Sequence, residues 1–95
     1  MGKTYKVYWS KRVNRQLQKT PDYIRDKFLA WVIVVENFGI FEARKSPGFH
    51  DEPLSGKRRG QRSIRLSRSY RAIYQESRQE VLEIIEVIGV TKHEY

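Results

Sequence analysis

Apolar and polar residues alternate near the start of the chain in a pattern that predicts a strand followed by a helix. In residues 4–9, the side chains of Tyr5, Val7 and Trp9 share one side, which is typical of a short strand. Ser10 comes next and is a favourable helix N-cap, because its hydroxyl can accept a hydrogen bond from the first helical turn. The pattern therefore predicts a first helix directly after the strand.

A second helix is predicted to begin at Thr20 and Pro21, with the threonine as its cap and the proline at its first helical position. Its apolar residues recur every three or four positions, so they form one face directed towards a core. Gly39 follows this segment and is the expected C-cap. The apolar residues of the predicted face are Ile24, Phe28, Trp31, Val32 and Val35.

The remaining sequence predicts a long connection and three strands. Residues 40–60 contain two prolines and three glycines, so we expect an irregular loop, and a loop of this length in a small domain is usually functional. Residues 63–67 and 70–75 predict a hairpin, while residues 81–88 are nearly all apolar, as in a central strand covered on both faces. The order βααβββ predicts a single α+β domain, residues 1–95, with two N-terminal helices on a largely antiparallel four-stranded sheet.

The sidedness of the predicted hairpin favours one register. A two-residue loop would set Arg71 opposite Leu66 and so mix charge with the core. A three-residue loop, residues 67–69, instead pairs Arg65 with Arg71 and keeps the apolar side chains together on the buried face. Two arginines side by side repel each other unless an anion lies between them. The preferred register therefore predicts an anion site on the exposed face.

Positive charge is concentrated in this hairpin. The chain has a formal net charge of +8. Residues 55–78 contain eight basic side chains and one acidic, whereas residues 79–95 contain one basic and four acidic. Such an uneven field favours a polyanionic partner, although arginines on loops can also serve only to keep a basic protein soluble. We expect RNA contacts at Lys57, Arg58, Arg59, Arg62, Arg68 and Lys92.

What the sequence lacks disfavours several other classes of protein. The absence of cysteine excludes disulfides and thiolate metal sites. The two histidines are far apart without a carboxylate cluster, so we expect no metal ion. No glycine-rich phosphate loop precedes a helix, which predicts no nucleotide cofactor. No stretch approaches the roughly 20 apolar residues of a membrane-spanning helix, so we expect a soluble, cytoplasmic protein that does not contact membranes.

Two segments carry a family resemblance: residues 52–74, EPLSGKRRGQRSIRLSRSYRAIY, and residues 91–95, TKHEY. With the element order, they resemble the RelE/ParE superfamily of bacterial toxins, in particular the ribosome-dependent mRNA interferases of the RelE, YoeB and HigB type. The resemblance implies a RelE-like fold and the toxin of a type II toxin–antitoxin system. It also implies three partners: a cognate antitoxin, mRNA and the decoding site of the small ribosomal subunit. Arg62 departs from the YoeB-like pattern, because it replaces an aromatic residue before the serine.

The resemblance further implies roles for five residues. Glu52 falls on a general-base glutamate, and Arg71 falls on the arginine that acts against the scissile phosphate. Arg65 falls where RelE-like toxins have a catalytic lysine. His93 falls on the histidine thought to be the general acid in YoeB-like toxins, and Tyr95 stands near a terminal tyrosine that could stack on a base.

These roles fit metal-independent cleavage of RNA by its own 2′-hydroxyl. The reaction needs a base for that hydroxyl, cations for the charge that develops on the phosphorane, and an acid for the 5′-oxygen that leaves. Histidine suits the acid, since its ordinary pKa is about 6.5. His50, Lys57 and Lys92 are further candidates for the site. Two alternatives remain: a ParE-like toxin that inhibits DNA gyrase without cleaving RNA, and a catalytically inactive relative that only binds nucleic acid.

Overall fold

The computed structural model describes residues 3–78 and 81–92, in which three helices pack on one face of a five-stranded sheet. In chain order the elements are β1 (Thr4–Trp9), α1 (Lys11–Gln18), α2 (Asp22–Phe38), α3 (Ile40–Arg44), β2 (Glu52–Pro53), β3 (Arg62–Arg65), β4 (Tyr70–Arg78) and β5 (Leu82–Lys92). None of the helices within these ranges is long and apolar enough to cross a membrane.

The strands lie in the order β1-β5-β4-β3-β2. β1 runs parallel to β5, and the other three pairings are antiparallel. The predicted α+β class, with N-terminal helices on a largely antiparallel sheet, is therefore confirmed. The predicted number of strands is wrong, because Glu52 and Pro53 form a fifth strand at the edge. At the opposite edge, the Val7 N–H donates a hydrogen bond to Glu36 Oε2 at 3.1 Å.

The two predicted helix caps have different outcomes. Ser10 caps α1 as predicted, since its Oγ accepts a hydrogen bond from the Val13 N–H at 3.2 Å. Thr20 does not cap α2, which begins at Asp22 without a side-chain cap. The Thr20 hydroxyl instead donates to the Leu17 carbonyl at 2.6 Å. It therefore satisfies the end of α1 rather than the start of α2.

Residues 40–60 are more ordered than predicted. Gly39 ends α2 as expected, at a φ of 90°, and α3 begins at the next residue. The Ile40 N–H lies 3.4 Å from Glu83 Oε1, so a distant carboxylate satisfies the start of this short helix. A β-carbon at Gly39 would lie 2.8 Å from the Tyr5 ring, which explains why the position requires glycine. Two short 3₁₀ turns, Pro47–Phe49 and Gly56–Arg58, flank β2.

β5 is buried on one face only, which corrects the prediction of cover on both. Ile85 and Val87 are buried among the helices, whereas Ile84 and Ile88 are only half-buried. The described helices lie on a single side of the sheet, so alternate residues of β5 face away from them. The nearly continuous apolar sequence concealed this alternation.

The hairpin adopts the predicted register. Arg65 pairs with Arg71 across β3 and β4. The loop of residues 67–69 is closed by a hydrogen bond from the Leu66 N–H to the Tyr70 carbonyl at 2.9 Å. Because side chains alternate along each strand, the two arginines share the face of the sheet that points away from the helices.

Candidate functional site

The exposed face of β2, β3 and β4 brings together three of the predicted catalytic residues. Glu52 pairs with Ser63, and Arg65 pairs with Arg71. Ser63 and Arg65 are two residues apart on one strand, so their side chains point to the same face. Glu52, Arg65 and Arg71 are therefore neighbours on this face.

Glu52 and Arg71 are in direct contact. Arg71 Nη1 donates a hydrogen bond to Glu52 Oε1 at 2.7 Å and lies 3.4 Å from Ser63 Oγ. The Arg71 side chain is 18% exposed, whereas that of Glu52 is 54% exposed. The arginine is thus held by the sheet, and the carboxylate approaches it from solvent.

The positive charges around Glu52 lower its pKa. The largest effect is the hydrogen bond from Arg71, and the charges of Arg65 and His50 act in the same direction. The carboxyl is therefore ionised at neutral pH and can accept a proton. His50 reaches this position from the 3₁₀ turn before β2, where its backbone is left-handed at a φ of 44°.

Arg65 leaves the site with an excess of positive charge. Within residues 3–78 and 81–92 it makes no ion pair, and its side chain is half-buried beside Arg71. One carboxylate therefore faces two guanidinium groups. Such a site can accept an anion, and phosphate oxygens are suitable because arginine can bind two of them at once.

The predicted acid and the predicted stacking residue cannot be placed. His93 and Tyr95 lie outside the described residues. The last described residue is Lys92, which pairs with Tyr70, while Thr91 pairs with Arg71. β5 therefore runs alongside β4 as far as the arginine pair.

Arg62 is separated from the other predicted RNA contacts. It pairs with Tyr74, which is completely buried, so it lies on the face that the helices cover. Its Nε donates a hydrogen bond to Asp51 Oδ1 at 2.6 Å, and its side chain is 27% exposed. Arg62 lies two residues before Ile64 on the same strand, so the two side chains point to the same face. This spacing was a signal in the sequence that Arg62 faces inwards.

The remaining basic candidates lie on exposed segments. Lys57 and Arg58 lie in the second 3₁₀ turn, where Arg58 donates to Gln61 Oε1 at 3.0 Å. Arg68 is exposed in the loop of the hairpin. Arg59 and Lys92 are exposed as well. Lys57, Arg58, Arg59 and Arg68 thus add positive charge to exposed loops. Lys92 pairs with Tyr70, which packs against the core, so it lies on the face opposite to that of the arginine pair.

A partly buried ionic cluster, defined by Asp51, Arg62, Tyr74, Arg44 and Glu76, was not predicted. Asp51 accepts hydrogen bonds from Arg62 and from the Tyr74 hydroxyl, and Arg44 pairs with Glu76. Burial and the hydrogen bond to Asp51 raise the pKa of Tyr74. Across the part of the chain that the structure describes, no three His, Cys, Asp or Glu side chains converge as metal ligands.

The sequence matches the model of one protein family. A family model described as the ParE toxin of the type II toxin–antitoxin system parDE matches residues 7–93. The chain belongs to the ParE toxin family. The predicted resemblance to the RelE/ParE superfamily is thereby confirmed. No curated protein has a sequence that matches this ParE-family toxin.

Solved structures of other toxins share the fold of this ParE-family toxin. The YoeB/ParE toxin from Agrobacterium tumefaciens is 24% identical, with 94% of this chain and 99% of that chain covered and a TM-score of 0.65. YafQ from Escherichia coli BL21(DE3) is 11% identical, with coverages of 92% and 91% and a TM-score of 0.71. The YoeB–YefM complex from Staphylococcus aureus is 15% identical, with coverages of 93% and 95% and a TM-score of 0.69. The predicted RelE-like fold is therefore confirmed.

Proposed function

We propose that this toxin is a metal-independent endoribonuclease that cleaves mRNA in the decoding site of the ribosome. The observation that carries the proposal is the contact of Glu52 with Arg71 at 2.7 Å, beside Arg65 on an exposed face. These three side chains supply a proton acceptor and two cations at one place. A single phosphodiester can reach all three.

In the proposed mechanism, the scissile phosphate displaces Glu52 from Arg71. An exposed ion pair of this kind contributes only about 0–1 kcal/mol, so a phosphate with two arginines as partners can compete for it. Glu52 then accepts the proton of the 2′-hydroxyl as that oxygen attacks phosphorus. Arg65 and Arg71 stabilise the charge that develops on the phosphorane. The 5′-oxygen leaves with a proton, for which the sequence predicts His93 as donor.

The ribosome has a specific part in this proposal. In the free protein Arg71 holds the pKa of Glu52 below its usual range, and a carboxylate released from that contact is still a weak base for a hydroxyl group. Exact placement of the 2′-hydroxyl must therefore supply much of the rate, and orientation alone can supply about 7–11 kcal/mol. A ribosome that holds mRNA in a fixed conformation would supply this orientation. The proposed site of action is thus the cytoplasm.

We also propose a cognate antitoxin as the second partner. One of the similar solved structures is a complex of YoeB with YefM. A partner for this chain would need acidic side chains over Arg65, Arg71 and the basic loops, since these surfaces carry the excess positive charge. Such a partner would compete with mRNA for the same face.

Primer extension on translated transcripts tests the proposal. Induction of the native chain should produce new 5′ ends in transcripts that are being translated and none in matched transcripts without a start codon. Arg71→Ala and Glu52→Gln should each reduce cleavage at least about 100-fold, the scale of a lost charge-stabilising donor for the first and of a lost acid–base group for the second. Arg15→Ala removes the same charge from an exposed position on α1 and should leave cleavage unchanged.

A second candidate function is inhibition of DNA gyrase, which is favoured by the match to the ParE family model. A toxin of this kind would keep the fold without using Glu52 in chemistry. The same induction distinguishes the two functions. Intact transcripts, accumulating DNA breaks and full toxicity of Glu52→Gln would support gyrase inhibition and contradict the nuclease.

A further inference from the structure

The buried carboxylate of Asp51 directly precedes the exposed carboxylate of Glu52. The Asp51 side chain is only 1% exposed. Its Oδ1 accepts a hydrogen bond from Arg62 Nε at 2.6 Å, and its Oδ2 accepts one from the Tyr74 hydroxyl. Arg44 Nε lies 3.8 Å from Oδ1. One carboxylate thus connects β3, β4 and α3 at the point where β2 begins.

β2 has few other means of holding its place. It contains only two residues, Glu52 and Pro53, so few backbone hydrogen bonds can join it to β3. Both residues are exposed, and a short 3₁₀ turn lies on either side of the strand. Beyond the strand, the Leu54 N–H donates to the Gln61 carbonyl at 2.9 Å. The backbone pairing of so short a segment is weak without an additional anchor.

The alternation of side chains makes Asp51 a suitable anchor for Glu52. Consecutive residues of an extended segment point to opposite faces, so an inward Asp51 directs Glu52 outwards. Arg62 pairs with Pro53 in the sheet and binds Asp51 through its side chain. A shift of β2 along β3 would break this contact and would move Glu52 away from Arg71.

We propose that Asp51 is a positioning residue, whose contacts with Arg62 and Tyr74 fix β2 against the sheet and so hold Glu52 beside Arg71. The consequence for catalysis rests on the proposed function, since it assumes that Glu52 is the base. The geometric part of the proposal is that Asp51 keeps Glu52 in contact with Arg71. This part does not depend on the function of that contact. Arg62 then serves to bind the Asp51 carboxylate, which explains why a guanidinium group lies on the face covered by the helices.

Titration of the Glu52 carboxyl by carbon-13 NMR tests the geometric part. In the native chain the pKa lies below 4.5, its ordinary value, because Arg71 donates to the carboxylate. Asp51→Asn should raise this pKa towards 4.5, since a loosened β2 weakens that hydrogen bond. Glu76→Gln is the matched control. It removes another carboxylate of the same cluster, the partner of Arg44, and should leave the titration of Glu52 unchanged.

Either of two results would overturn the proposal: an unchanged Glu52 titration in folded Asp51→Asn, or an equal shift in Glu76→Gln. If Asp51→Asn does not fold, Tyr74→Phe removes one of the hydrogen bonds to Asp51 and keeps the buried ring. It should shift the titration in the same direction by a smaller amount, and no shift would contradict the proposal.

Cleavage kinetics separate this inference from the proposed function. Asp51→Asn should lower kcat about 10- to 100-fold, the scale of a small misplacement of a reacting group, with KM for programmed ribosomes unchanged. A rise in KM with kcat unchanged would contradict a positioning role. If the native chain cleaves no RNA, the proposed function fails, while the titration still decides whether Asp51 holds Glu52 in place.

Discussion

Asp51 and Glu52 are adjacent carboxylates that each contact a guanidinium group, but their surroundings differ. The Asp51 carboxylate lies on the face of the sheet that the helices cover, with 1% of its side chain exposed. Glu52 meets Arg71 at the surface, with 54% of its side chain exposed. Water stabilises separated charges at the surface and is absent from the interior. The outer pair is therefore easily exchanged for another anion, whereas the inner pair is costly to break.

The largest effect on stability is expected from Asp51→Ala. The substitution leaves the guanidinium groups of Arg62 and Arg44 facing a buried site without its carboxylate. Breaking a buried ion pair in this way costs about 3–5 kcal/mol. Because Arg62 is 27% exposed, we expect the lower end of this range, about 3 kcal/mol, in the free energy of unfolding by urea. If the free energy of unfolding falls by less than about 1 kcal/mol, the ion pair of Asp51 and Arg62 behaves like a surface pair.

Tyr74→Phe should have the next largest effect. It removes the hydroxyl that donates to Asp51 and leaves the ring in the core, beside Trp31. A hydrogen bond to a charged group contributes about 1.5–3 kcal/mol, so we expect a loss of about 2 kcal/mol. In a double-mutant cycle with Asp51→Ala, the losses should not add, because both substitutions remove the same contact. Full additivity would contradict the cluster.

Glu52→Gln should change stability much less. The exposed pair with Arg71 contributes no more than about 1 kcal/mol, so urea unfolding at neutral pH should be nearly native. The same substitution should abolish most cleavage under the proposed function. A large loss of stability would show that the outer pair is structural, and would remove the contrast between the two carboxylates.

The smallest expected effect is on the pH dependence of stability. The hydrogen bond from Arg71 lowers the pKa of Glu52 in the folded chain. The ionised carboxylate therefore adds to the free energy of unfolding above about pH 4.5, the ordinary pKa, and this stabilisation is lost as the pH falls through the lowered folded pKa. The difference in unfolding free energy between native and Glu52→Gln chains should shrink over that window. A difference that grows on acidification would contradict the sign of the shift.

The outer face could be predicted from local patterns, and the inner cluster could not. Alternation along the hairpin was sufficient to pair Arg65 with Arg71, because the register depends only on nearby residues. Glu52 was named through its resemblance to related toxins, since a two-residue strand has no periodicity of its own. The inward direction of Arg62 could be predicted, because it lies two residues from the apolar Ile64 on the same strand. Its partner Asp51 was not, because that contact depends on how the 40–60 segment returns to the sheet.

The elements that were missed have a related cause. α3 has five residues, too few for a helical pattern to be visible. Its first N–H faces Glu83, which is 43 positions away in the chain. Thr20 was assigned to the wrong helix, because a hydroxyl between two helices can serve either one. Each of these features depends on tertiary contacts rather than on local sequence.

Pro53 has a further consequence for the protein in a crowded cell. A sheet edge with free N–H groups invites strands from other chains, which is a route to aggregation. The Leu54 N–H points towards β3, so the backbone nitrogen of the preceding residue points out of the sheet. That residue is Pro53, which has no N–H to offer to another strand. At the other edge, Glu36 already occupies the outward N–H of Val7. Both margins of the sheet are blunted at these points, which disfavours the addition of a further strand there.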